Sequence, residues 1–164
     1  MSKNIRRYSK LLVVSDTGMV KRDGEWYAFG PVVIELIMLL NLFESITWIG
    51  FNRPDQKENS SYLEVTTNEI ELVALQNVGG KTIGAKASIL MQYPKMWKLI
   101  HSEIKKHSFI HCRAPSNPAF IAMQLSKKYE SKQFWFKYAG SWVDDTSYFY
   151  NLQRNRLKNL GANS

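Results

Sequence analysis

Ser108-Phe-Ile-His-Cys-Arg-Ala-Pro-Ser-Asn-Pro-Ala-Phe-Ile-Ala-Met-Gln-Leu125 is the stretch whose reading decides the fold. Its start, Phe109-Ile110-His111-Cys112, is short and mostly apolar, as in a strand buried within a parallel sheet. Pro115 ends it, because proline has no N–H to offer a central ladder. Ser116 or Asn117 then serves as a helix N-cap, and Pro118 suits the first turn, where an N–H would have no partner. Phe120, Ile121, Met123 and Leu125 are the apolar positions of a helix lying back on the sheet and ending near Tyr129. This order puts the polar turn at the carboxyl ends of the strands, where open α/β sheets bind ligands. Arg113 and Ser116 would there present a cation and a helix N-terminus to an anionic or hydroxylated ligand. The same spacing also suits a paired surface arginine and a serine that only caps its helix.

The alternation continues on both sides. Lys10–Ser15 reads as a first strand of branched apolar residues, stopping at Asp16-Thr17-Gly18, with Met19–Gly24 a charged loop. Trp26–Gly30 is a short strand or an ordered loop, and Pro31 opens a helix through about Phe43. Ser45–Phe51 is a second strand; Arg53–Ser61 is a polar loop; Tyr62–Val65 and Ile70–Leu75 are short strand-like pieces. A helical pattern runs from about Thr82 to Lys106, with Pro94 kinking it or opening a second helix. Gln133–Tyr138 is a further strand ending at Ala139-Gly140-Ser141, and Trp142 begins a last helix with Gly161 as its C-cap. Strand and helix alternate throughout, which predicts an α/β domain: a mainly parallel sheet with helices on both faces.

A chain of 164 residues with 45% hydrophobic content builds one core and one domain. Its most apolar window, Pro31–Phe43, is interrupted by Glu35 and is too short for a bilayer. The single cysteine, Cys112, excludes an internal disulfide and suits a reducing compartment, so the chain reads as cytoplasmic. A net charge of +8 favours a polyanionic partner, either nucleic acid or an anionic membrane surface, although no long basic run concentrates it.

Several motifs invite a function and lack what it needs. Asp16-Thr17-Gly18 is the triplet of aspartic proteases, whose chemistry takes two facing aspartates on an almost all-β fold. Gly79-Gly80-Lys81-Thr82 resembles the end of a P-loop, but Leu75 occupies the place of its first glycine. His101, His107 and His111 share no face, so no metal site is expected. Trp48, Trp97 and Trp135 fall on apolar faces, where core packing is the default.

Taken together, the strand ending at Asp16-Thr17-Gly18, the strand at Ile46–Gly50, Phe109-Ile-His-Cys-Arg-Ala-Pro-Ser116 with its helix, and Phe134-Trp-Phe-Lys-Tyr-Ala-Gly-Ser-Trp142 resemble a known pattern. It is that of the N-terminal domain of GT-B glycosyltransferases, closest to the family 4 type of bacterial surface polysaccharide synthesis. The resemblance covers most of the chain and implies a three-layer Rossmann-like domain spanning residues 1–164, the acceptor-side half of a two-domain transferase. The donor-binding C-terminal domain would be absent, so the chain alone is not expected to turn over. No cofactor is implied, the nucleotide-sugar donor being held by that missing domain.

By the same resemblance, Asp16, Thr17 and Gly18 match the first-strand loop that approaches substrate. Arg113, Ser116 and Asn117 match the Arg-x-Pro-Ser turn facing the interdomain cleft, and Gly140, Ser141 and Trp142 match the next such turn. Many relatives place a catalytic histidine at that last turn; here there is none, leaving Asp16, Asp144 and Asp145 as candidate bases. The implied partners are a saccharide or lipid-linked acceptor, the C-terminal domain, and an anionic membrane surface. Peripheral attachment to the inner face of the membrane is left open. The alternative is a non-catalytic basic α/β domain binding nucleic acid or a partner protein; nucleic acid is the less favoured partner.

Overall fold

The computed structural model describes residues 8–55, 60–76 and 83–138, with side chains described throughout except over 83–90. Residues 139–164, which hold Gly140, Ser141, Trp142, Asp144, Asp145 and the expected last helix, lie outside the described residues, as do Gly79 and Gly80.

The branched apolar run Leu11-Leu12-Val13-Val14 is fully buried at the centre of β1 (Tyr8–Arg22). Parallel strands buried on both faces read as continuous apolar runs, and this one is flanked on both edges. β3 (Phe43–Asn52) pairs with one edge and β6 (Phe109–Ala114) with the other, both parallel. β5 (Ile70–Gln76) extends the sheet beyond β3, and β7 (Gln133–Tyr138) extends it beyond β6, again parallel. The parallel order is therefore β5-β3-β1-β6-β7. Two antiparallel additions, β2 (Glu25–Phe29) on β1 and β4 (Tyr62–Glu64) on β2, complete a mixed sheet of seven strands among the described residues.

Helices cover both faces. α1 (Gly30–Leu39) packs Val32, Val33 and Leu36 against Leu11, Val13, Ile46 and Trp48. α2 (Ile83–Lys106) and α3 (Asn117–Ser126) pack Met96, Ile100, Ile104, Ile121 and Leu125 against Leu12, Val14, Ile49, Ile110 and Cys112. Alternate residues of one strand thus serve opposite cores, as the period of two requires. Pro94 sits inside α2, which runs on without a second start. Ser116 is the cap of α3, its hydroxyl accepting from the Ala119 N–H at 3.1 Å, and Asn117 is the first helical residue.

The fold departs from the expected pattern at the first strand. β1 does not stop at Asp16; it runs on to Arg22 and turns back through Asp23 (φ 49°) and Gly24 (φ 94°). Positive φ at both central positions of a two-residue turn is what Asp-Gly supplies in a hairpin. The residues expected to form a charged loop are therefore strand and turn. Between Val14 and Gly18 the register with β3 slips, so that Ser15, Asp16 and Thr17 together oppose Gly50. A side chain at Gly50 would not fit: its Cβ would lie 2.7 Å from the Thr17 carbonyl oxygen and 2.5 Å from Met19 Cε. α1 also ends early, at Leu39, because Phe43 is drawn into β3.

Gly50→Ala should therefore lower the urea midpoint with unchanged m, corresponding to about 1–3 kcal/mol for an overpacked site. An unchanged midpoint would show that the bulge does not press on β3.

Candidate functional site

The bulge separates two halves of β1. Up to Val14 its free edge carries β6, in register through Val14 and Cys112; from Met19 onward the same edge carries β2. β6 therefore loses its neighbour just where Arg113 and Ala114 follow, and a crevice opens between the end of β6 and the bulge. A crevice beside the carboxyl end of a parallel strand is where open α/β sheets take ligands.

Ser15 holds the bulge in shape. Its buried hydroxyl donates to the Ile49 carbonyl at 3.1 Å and accepts from the Trp48 indole N–H at 2.9 Å and the Thr17 N–H at 3.3 Å. That satisfies a fully buried indole and points the next residue, Asp16, outward into the crevice. Gly18 lets Arg53 approach: a Cβ there would lie 2.9 Å from Arg53 Cδ. Desolvation raises the Asp16 carboxyl above its ordinary value, opposed by a backbone hydrogen bond and by the charges of Arg53 and Arg113.

One wall of the crevice is an ion cluster. Glu35, the only charge on α1, accepts from Arg113 Nη1 at 2.6 Å and from Lys137 Nζ at 2.9 Å, both on the same carboxylate oxygen. Arg113 and Lys137 are neighbours across β6 and β7, so both point to the α1 face. Burial pulls the Glu35 carboxyl upward, but the bonds from Lys137 and Arg113 outweigh it and leave it below the usual carboxylate value. Two residues earlier on β6 and on the same face lies His111, fully buried, with Nε2 3.6 Å from the other Glu35 oxygen. Its ring rests against Trp135, with centroids 4.2 Å apart, and neither ring nitrogen has a hydrogen-bond partner among the described residues. Burial pushes its pKa down to about 4, so the ring is neutral at physiological pH.

Two cavities meet at Asp16. A polar one of about 500 Å³ is lined by Asp16, Thr17, Phe29, Glu35, Arg113 and Lys137 among others. A second, of about 560 Å³, lies between α3 and β7 and shares Asp16, Ala114 and Pro115 with the first. Asp16 and Arg113 thus come together, and Ser116 and Asn117 line the second cavity. Two expected roles are spent internally. The Arg113 guanidinium is paired with Glu35, and the Ser116 hydroxyl donates to the Arg113 carbonyl at 3.0 Å while capping α3. Glu35, Lys137 and His111 were not among the residues singled out; the lone acid in an otherwise apolar helix was the signal for the first.

The remaining histidines and the cysteine are engaged or buried within the fold. His107 bridges the Glu103 carbonyl and the Thr47 hydroxyl, and His101 meets the Tyr129 hydroxyl at 2.6 Å. Cys112 is buried, with its thiol pushed up to about 12, so it is not a nucleophile. Trp135 is half-exposed rather than a core residue. Among the described residues no group of three His, Cys, Asp or Glu could hold a metal ion. No helix among them is long and apolar enough to cross a membrane.

No family model and no curated protein matches the chain. Among solved structures it is similar to two crystal structures of the C-terminal domain of a hydrogenase from Pyrococcus furiosus. One, of its residues 78–226, has a TM-score of 0.47 at 8% identity, covering 83% of this chain and 96% of that one. The other, of its residues 83–215, has a TM-score of 0.44 at 5% identity, covering 84% and 98%. Similarity at that level carries no inference about function.

His111 and Glu35 both titrate below their ordinary values, so both make acid destabilising. As pH falls from 6.5 towards about 4, the unfolded chain protonates His111 and the folded one does not, costing about 3 kcal/mol. The Glu35 contribution is present above pH 4.5 and is lost below it, as pH falls through its lowered folded value. Urea unfolding at pH 7 and pH 4.5 should show the first loss in the parent chain and not in His111→Leu. Equal slopes in both would place the acid sensitivity elsewhere.

Proposed function

We propose that this chain is the Rossmann-like, acceptor-side N-terminal half of a family 4-like GT-B glycosyltransferase. The complete enzyme moves a sugar from a nucleotide-sugar to a saccharide or lipid-linked acceptor, and this half does not turn over alone. The observation that carries the reading is Asp16, a carboxylate whose pKa is raised by burial and which faces the junction of two cavities. It stands at the bulge of β1, beside the carboxyl end of β6. The parallel order β5-β3-β1-β6-β7 and the helices on both faces support the fold assignment.

In this reading the acceptor hydroxyl lies against Asp16, which takes its proton as the oxygen attacks the anomeric carbon of the donor sugar. The nucleoside diphosphate departs on the side of the C-terminal domain. Glu35 offers a hydroxyl acceptor and Lys137, held beside it, a donor, so the polar cavity suits a polyhydroxyl ligand better than a bare phosphate. Arg113, neutralised by Glu35, shapes the cavity and moderates the Asp16 charge. Gly140, Ser141 and Trp142 remain candidate substrate-binding residues, and Asp144 and Asp145 candidate bases. The basic surface would hold the enzyme against an anionic membrane on the cytoplasmic side, near a lipid-linked acceptor.

The full-length protein should transfer label from one of a panel of nucleoside-diphosphate sugars to saccharide or glycolipid acceptors. Asp16→Asn should lower kcat roughly 10²–10⁴-fold with little change in KM. A variant with the parent rate would remove Asp16 as the base. No transfer with any donor, together with oligonucleotide binding of steep salt dependence, would favour a non-catalytic basic domain instead.

A further inference from the structure

Arg53 and Tyr62 bring two hydrogen-bond donors together over Gly18. Arg53 follows β3, and its backbone N–H donates to the Met19 carbonyl at 2.7 Å, tying it to β1 from the edge opposite β6. Its side chain crosses Gly18, where a Cβ would lie 2.9 Å from Arg53 Cδ and 3.3 Å from Nε. The Tyr62 hydroxyl reaches the same point, 3.3 Å from that Cβ position. Among the described residues no side-chain hydrogen bond or ion pair engages either group, and Arg53 Nε is buried without a partner. Arg113 and Lys137, on the other side of β1, share the Glu35 carboxylate; Arg53 has no such counterpart among the described residues. A buried donor of a charged group is costly to leave unpaired, and an anion bound there recovers that cost.

We infer that Arg53 and Tyr62 form an oxyanion site, in which the guanidinium and the phenol O–H receive a phosphate group of the substrate above Gly18. Phosphate fits better than carboxylate. A carboxylate has two oxygens, both taken by a guanidinium fork, whereas a phosphate keeps a third for the Tyr62 hydroxyl. The role of the site rests on the glycosyltransferase reading and deepens it: the phosphate is that of the nucleotide-sugar donor or of a lipid-linked acceptor. The site also bears on Asp16, two residues earlier on β1. The charged groups around that carboxylate are Arg53 from the β3 side, Arg113 from β6, Glu35 from α1 and Lys137 from β7. Of these, Arg53 is the cation left without a partner among the described residues. A phosphate bound to it cancels its charge and strengthens Asp16 as a base while substrate is in place.

The test is calorimetric titration of the full chain with inorganic pyrophosphate at low salt. Arg53→Gln should loosen binding roughly tenfold or more, and Tyr62→Phe roughly threefold. Lys10→Gln removes the same charge from the exposed far end of β1 and should leave the affinity unchanged. Arg53→Lys, which keeps the charge without the fork, should fall between the parent and Arg53→Gln. Thermal melts show which variants are folded; should Arg53→Gln not fold, Arg53→Lys and Tyr62→Phe carry the comparison. Saturating pyrophosphate should also raise the Asp16 carboxyl pKa in the parent chain and not in Arg53→Gln, a shift that a purely structural arginine would not produce. Equal losses in Arg53→Gln and Lys10→Gln would assign the binding to net charge and overturn the inference, as would an Asp16 carboxyl indifferent to pyrophosphate. Nucleoside diphosphates and short alkyl phosphates separate the two sources: the class that loses more affinity in Arg53→Gln is the occupant. If binding is as expected but the full-length protein transfers no sugar with any donor, the oxyanion site stands and the glycosyltransferase reading fails. If transfer proceeds and Arg53→Gln alters neither it nor the pyrophosphate affinity, the site alone fails.

Discussion

The whole site follows from β1 parting from β6 at Ser15. Up to Val14 the two strands share a ladder; beyond it, Ser15, Asp16 and Thr17 are set against a single glycine of β3, and the strand leaves along β2. The detour leaves polar backbone in the middle of a buried sheet, where unpaired groups are costly. Ser15 answers this by joining the Ile49 carbonyl, the Thr17 amide and the Trp48 indole through one hydroxyl. Gly50 supplies the room. Remove either and the crevice that presents Asp16 loses its shape.

The second determinant is electrostatic. A carboxylate on an apolar helix, two cations on adjacent strands and a buried neutral imidazole form one cluster against the α1 face. Burying half of such a cluster would be unfavourable, because an unpartnered ion costs several kcal/mol by order of magnitude. Intact, it fixes α1 against β6 and β7 and sets the walls of the polar cavity. It also explains why the crevice is not a simple anion hole: its most obvious cation is already engaged.

Much of this was legible in the sequence because the strands and helices are locally consistent. The strand at Phe109, a cap at Ser116 or Asn117 and the two short pieces at Tyr62 and Ile70 follow from composition and proline chemistry alone. The run through Asp16 was not legible as strand, because Asp, Thr and Gly together normally end one; their continuation depends on β2 and Gly50, both distant in sequence. The Asp23-Gly24 hairpin was legible in principle, since that dipeptide between apolar residues is a turn signal. The Glu35 cluster was only half visible. A lone acid in an apolar helix announces a partner, but choosing Arg113 and Lys137 requires knowing that β6 and β7 are adjacent. Phe120 and Met123 read as core because helical periodicity does not reveal which apolar positions of α3 stay half-exposed.

The account stands most directly on the environment of Asp16. A site-specific carbon NMR titration of its carboxyl should give a pKa above 3.8, and Arg113→Gln should raise it further, since that guanidinium lowers it. A carboxyl that titrates at its ordinary value and is indifferent to Arg113 would contradict the placement of Asp16 in a desolvated crevice beside that guanidinium.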